Sequence, residues 1–249
     1  MGVSAIGAYQ RMDEPRYLVR PVDNDSWLRL TLVRDWLASG DWYHHAVERS
    51  SAPEGGITSP WTRPLDVLIA GLVGLQWDGA PIDTKLLRAA LVLPILWAML
   101  GMLGMVRAVR HMNGLSQSGF FMMALIGAMP PLWGYFGTGN ADHHAPLCAL
   151  YIWVAASMLR PSPREGWVAG ALLGVMTWLS PEALILAGGI YAWLGLLYVV
   201  KGEGLPFLRR MTLGAAGMAL LALVVERPPA AWLTPVYDSI SIVQVTQLF

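Results

Sequence analysis

Six uncharged apolar blocks punctuate the second two-thirds of the chain, at 89–106, 120–137, 146–159, 167–179, 183–200 and 211–225. A hydrocarbon core about 30 Å thick needs about 17 or more apolar residues in helical conformation; each block is that long or nearly so and predicts a helix that crosses a bilayer. The two shortest blocks, at 146–159 and 167–179, must borrow flanking residues or tilt little. Ahead of them, Trp27, Leu28, Leu30, Leu32, Val33, Trp36 and Leu37 predict a short helix that starts at Asp25 or Ser26 and closes at Gly40, with Arg29, Arg34 and Asp35 on the polar positions. Such a helix lies in the membrane interface or packs on a neighbouring domain. The apolar stretch at 65–75 is too short to span and holds Asp66; it reads as an interfacial or re-entrant helix. Turn-rich loops at 41–45 and 52–56 lie between these two helices.

Composition sharpens this picture. Of 249 residues, 55% are hydrophobic and 14% charged, against roughly 25% charged in ordinary soluble domains. Lys+Arg and Asp+Glu are equal at 17 each, so no basic field exists for nucleic acid and that partner class is excluded. The lone cysteine, Cys148, excludes an intrachain disulfide framework and a thiolate zinc cluster. The fold class is therefore all-α: a polytopic transmembrane helix bundle of about six spans, with interfacial helices in a long first external loop. The expected organisation is an external loop over 1–85, the bundle over 86–226 and an external segment over 227–249.

Charge placement sets the orientation. Arg107, Arg110, Arg160, Arg164, Lys201, Arg209 and Arg210 follow alternate spans, whereas Asp142, Glu182, Glu226 and Asp238 occupy the opposite loops. Bases mark the cytoplasmic side and acids the external side of what is expected to be a bacterial cytoplasmic membrane. The leading segment carries many of the remaining bases, but long segments count little in this rule. Residues 1–22 have no apolar signal-peptide core, so the chain is expected to be a piece lacking an earlier span, and truncated after 249.

Ionisable groups at the mouths of membrane helices are functional candidates. Asp23 and Asp25 offer two carboxylates for a hard cation, or a helix cap. Gly139-Asn140-Ala141-Asp142-His143-His144 packs a carboxylate and two imidazoles into a minimal external loop, a set for Mg²⁺, Mn²⁺ or Zn²⁺, or a polar interfacial turn. Glu182 begins a span behind Pro181, as a site residue or an ordinary helix start. Arg63 is placed to hold a lipid phosphate or to snorkel, and His44 and His45 to join a metal site or meet solvent. The nucleotide-binding, zincin, serine-hydrolase and thiol-redox signatures are missing from the sequence.

Taken in order, the Asp23–Leu30 stretch, Gly40-Asp41-Trp42, Ala52-Pro53-Glu54-Gly55-Gly56 and Trp61 resemble the first external loop of GT-C-type membrane glycosyltransferases. The 139–144 turn resembles their second external loop, as in the transmembrane part of the oligosaccharyltransferase catalytic subunit. The chain is also similar to uncharacterised bacterial multi-pass proteins with a Trp-x-Arg-x-x-Asp stretch (Trp61 to Asp66) and an Asp-His-His turn. The resemblance implies an enzyme that transfers a sugar or glycan from a polyprenyl phosphate or diphosphate to an external acceptor that the sequence does not name. It implies Asp25 and Asp142 as the reacting carboxylates. A divalent Mg²⁺ or Mn²⁺ would be held by Asp23 or Asp25 and by Asp142, with His143 or His144 as a further ligand; residue chemistry adds Arg63 and Glu182 as substrate-binding candidates. The family's peptide-acceptor domain and later external loop have no counterpart in the sequence. Other classes fit the same residues: an ion- or proton-coupled transporter, a lipid-binding membrane protein without catalysis, or a noncatalytic membrane partner.

Overall fold

A computed structural model describes Pro21 and residues 23–47, 56–112 and 134–248. Helix dominates the described residues, and the one strand pairing among them is a two-residue ladder. Helices α1 (Asn24–Ser39), α2 (Arg63–Gly74), α3 (Ile82–His111), α4 (His144–Met158), α5 (Pro163–Leu179), α6 (Ala183–Lys201), α7 (Leu205–Glu226) and α8 (Ile242–Leu248) follow in order. Strands β1 (Ala46–Val47) and β2 (Ile57–Thr58) pair antiparallel between α1 and α2. Among the described residues three helices, α3, α6 and α7, are long and apolar enough to cross a membrane, which makes this a membrane protein. Helix α4 is apolar but shorter, and α5 has 17 residues because it takes four polar-flank positions, Pro163 to Gly166, ahead of its apolar block. Of the block at 120–137 only the last four residues are among those described.

The chain forms two compact units: Met1–Pro94 with Gly137–Asp142, and Ile95–Phe136 with His143–Phe249. In the first unit, α1 is capped by Asp23 rather than by Asp25 or Ser26. The Asp23 backbone is extended and its Oδ1 accepts from the Ser26 N–H at 2.7 Å. Asp25 is left in the first turn, where its charge suits the helix dipole. Gly40 closes the helix as expected, in the left-handed region (φ 71°), with its N–H on the Trp36 carbonyl.

Arg29 departs most from the sequence pattern. Instead of facing solvent it is 1% exposed, beside Leu30, Leu32 and Val33. Its Nη1 donates to Asp66 Oδ1 at 2.9 Å, while Arg63 Nη1 donates to Asp66 Oδ2 at 3.1 Å. One buried carboxylate thus bridges two buried guanidiniums and clamps α1 to α2. The Arg29 guanidinium also lies 4.4 Å above the Trp61 ring, a favourable cation–π placement. Burial pushes the Asp66 carboxyl above its ordinary range, and Arg29 and Arg63 pull against that burial.

In the second unit, Gly166, Gly170 and Gly174 recur every four residues along α5 and let α7 approach backbone to backbone. A Cβ on Gly170 would stand 2.1 Å from the Met211 carbonyl oxygen. Small residues at this spacing are what allow two helix backbones to come so close. Trp153 of α4 lies against Gly104 of α3 and donates its Nε1–H to the Leu100 carbonyl at 2.8 Å. Arg227, just past α7, donates to the Ile240 carbonyl and to Ser239 Oγ, holding the connection to α8.

Candidate functional site

The turn before α4 is built by four hydrogen bonds of the first unit. Gly139 takes a left-handed conformation (φ 89°) that side chains disfavour. Its N–H donates to the Ala90 carbonyl of α3 at 3.1 Å. That carbonyl is open because residue 94, its i+4 partner, is Pro94 and has no N–H. An apparent flaw in α3 thereby becomes the acceptor that seats the turn. Next along the chain, the Asn140 N–H donates to the Gly137 carbonyl and Asn140 Oδ1 accepts from the Asp142 N–H at 2.9 Å. Between them, the Ala141 N–H donates to Ser26 Oγ at 2.9 Å across 115 positions of sequence.

This last bond matters most. Ser26 directly follows Asp25, and Ala141 directly precedes Asp142, so within the first unit the acidic start of α1 and the 139–142 segment are joined through it. Ser26 is buried, whereas Asp23 and Asp25 are exposed.

Asp142, His143 and His144 each offer one ligand atom within 4.8 Å of the others. Because the residues are consecutive, this clustering is a property of the turn itself. Asp142 and His143 are buried and His144 half-buried. The imidazoles stack with centroids 4.5 Å apart, and His144 stacks in turn on Tyr135 at 5.0 Å. At the start of α6, Glu182 Oε2 lies 3.6 Å from His143 Nε2 and 3.9 Å from His144 Nε2, while the Glu182 side chain is mostly exposed. Glu182 occupies the N-cap position without capping through its side chain. Metal–ligand bonds of about 2.0–2.2 Å place opposed ligand atoms at most about 4.4 Å apart, so small side-chain rotations adapt this oxygen-and-two-nitrogen set to a divalent ion. The donors present fit a metal centre.

Arg63 is not displayed for a lipid phosphate. It is fully buried, and beyond Asp66 its guanidinium donates to the Trp42 carbonyl at 2.9 Å and to the Asp41 and His44 carbonyls. It holds the 41–44 loop to α2, and the Trp61-x-Arg63-x-x-Asp66 spacing is structural here. His44 contributes its carbonyl to this clamp while its side chain is exposed. Sequence reasoning missed Ser26, Ala90 and Pro94 as the groups that seat the turn. A signal existed for one of them: a proline inside an apolar block marks a carbonyl without its helical partner. No protein-family model, curated protein or solved structure matches this chain.

Proposed function

We propose that this protein is a metal-assisted membrane transferase of GT-C type, moving a sugar or glycan from a polyprenyl-phosphate or polyprenyl-diphosphate donor to an acceptor on the external face. The observation that carries the reading is the Ala141-to-Ser26 hydrogen bond, which supports a shared site for Asp23, Asp25 and Asp142. In this reading α4, α5 and the block at 120–137 complete a six-span bundle with α3, α6 and α7, and α1 and α2 lie at the interface. The donor's tail sits in the bilayer and its reacting carbon at headgroup level, where these acids are expected. Asp142, His143 and His144 hold the cation, and the two imidazoles favour Mn²⁺ or Zn²⁺ over Mg²⁺. A divalent ion bound there supplies Lewis-acid charge to a departing phosphate. Asp25, exposed in the first turn of α1, orients the acceptor hydroxyl or takes its proton. The test is turnover of a polyprenyl-phosphate sugar by the purified protein. Asp142→Asn abolishes metal-dependent turnover while the helical content and melting temperature stay at the wild-type values; unchanged turnover defeats the assignment.

A second reading, a proton- or ion-coupled transporter, draws on Glu182 lying within 4 Å of both imidazoles, an arrangement suited to passing a proton. It requires pH-dependent flux in liposomes that chelators leave unaltered.

A further inference from the structure

We propose that the arginine-rich end of α3 carries a binding site for the phosphate headgroup of an anionic phospholipid, separate from the Asp-His-His turn and independent of the transferase reading. A cavity of about 520 Å³ opens among the end of α3, Trp153 of α4 and the start of α5. Its polar lining is Arg107, Arg110, His111, Arg164 and Glu165, all within the second unit. Three guanidiniums therefore face one carboxylate, and that carboxylate is committed: Glu165 Oε2 is ion-paired to Arg107 Nη2. Arg107 is further fixed over the Trp153 ring at 5.3 Å, and its buried Nε has no acceptor among the described residues. His111 Nδ1 donates to the Ala156 carbonyl at 2.8 Å, which leaves Nε2 as the ring's other polar atom. Arg110 and Arg164 are exposed at the rim. The cavity presents donors in excess of acceptors, the chemistry of a phosphate site.

The adjoining surface selects a lipid over a free phosphate. Ile95, Met99, Met102 and Val106 are exposed and spaced four, three and four residues apart, so they form one stripe along α3 that leads to Arg110. From Ile95 to Val106 the stripe runs eleven residues, about 16 Å at 1.5 Å per residue, close to the ~15 Å of one leaflet. An acyl chain lying on the stripe brings its phosphate to the cavity mouth. Basic pockets between membrane helices bind anionic headgroups in this way.

The experiment uses the full chain, delipidated in detergent and titrated with phosphatidylglycerol, phosphatidylcholine or soluble glycerol phosphate, with bound lipid counted by native mass spectrometry. Phosphatidylglycerol is expected to bind at one preferred site and phosphatidylcholine without preference. At about fivefold per arginine near an anionic surface, Arg110→Gln weakens phosphatidylglycerol about fivefold, and Arg110→Gln with Arg164→Gln about thirtyfold. Both arginines are exposed, so folding survives, and the comparison of the two lipids on the wild-type chain stands without any variant. Equal retention of the two lipids, or phosphatidylglycerol affinity unchanged in the double variant, overturns the site. Competition by glycerol phosphate at the same concentration as the lipid overturns the lipid assignment.

Discussion

Two glycines in this protein respond oppositely to the same added methyl group. Gly170 in α5 faces the α7 backbone: a Cβ there would lie 2.1 Å from the Met211 carbonyl oxygen, 2.8 Å from its carbon and 2.9 Å from its Cα. Nothing at those positions is a flexible side-chain end, so relief requires the helices to separate by about 1 Å, an overpacking cost of roughly 1–3 kcal/mol and here near the upper limit. Against it stands the better helix propensity of alanine, about 0.5–1 kcal/mol. The clash wins, and Gly170→Ala is expected to lose about 2 kcal/mol. Gly189 in α6 has nothing within 4 Å of an added Cβ and is exposed, so Gly189→Ala keeps only the propensity gain. Thermal unfolding in detergent micelles, followed by helical circular dichroism, reads both. The melting temperature is expected to drop by several degrees in the first variant and to rise slightly in the second. A Gly170→Ala protein that melts at or above the wild type refutes close backbone packing of α5 on α7.

Removing the shared carboxylate with Asp66→Ala takes the bridging anion from the buried Arg29 and breaks the Arg63 arm of the clamp, and unfolding free energy should fall by about 3–5 kcal/mol; a denaturant midpoint within error of wild type contradicts the clamp. Pro94→Ala restores an N–H for the Ala90 carbonyl, in competition with Gly139. This variant should gain up to about 3 kcal/mol in stability while losing cation affinity, measured by titration; equal affinity removes Pro94 from the account of the turn.

The membrane helices were readable because length and lack of charge are properties of a single segment. The apolar blocks at 89–106, 183–200 and 211–225 lie within α3, α6 and α7, although α3 begins earlier, at Ile82, and takes in Asp83, Lys85 and Arg88. Gly40 was legible for the same reason, since a left-handed cap is a local event. The opposite end of α1 was not: Asp23, Asn24, Asp25 and Ser26 are all good caps, and only backbone conformation selects Asp23. Arg29 and Arg63 were misplaced because their burial depends on Asp66, which for Arg29 stands 37 positions away. A guanidinium reads as solvent-facing until its partner is known. The Asp-His-His cluster was visible as consecutive residues, whereas its seating on Ser26 and Ala90 joins segments far apart in sequence. Spacing within one segment carries no trace of such pairings.

Mn²⁺ titration of the purified protein, followed by electron paramagnetic resonance, tests most directly whether the turn at Asp142 holds a divalent cation. One Mn²⁺ per chain is predicted, lost in Asp142→Asn and weakened in Asp25→Asn, with both variants folded. Wild-type protein that binds no Mn²⁺ stoichiometrically, or Asp142→Asn protein that binds it as the wild type does, contradicts the claim.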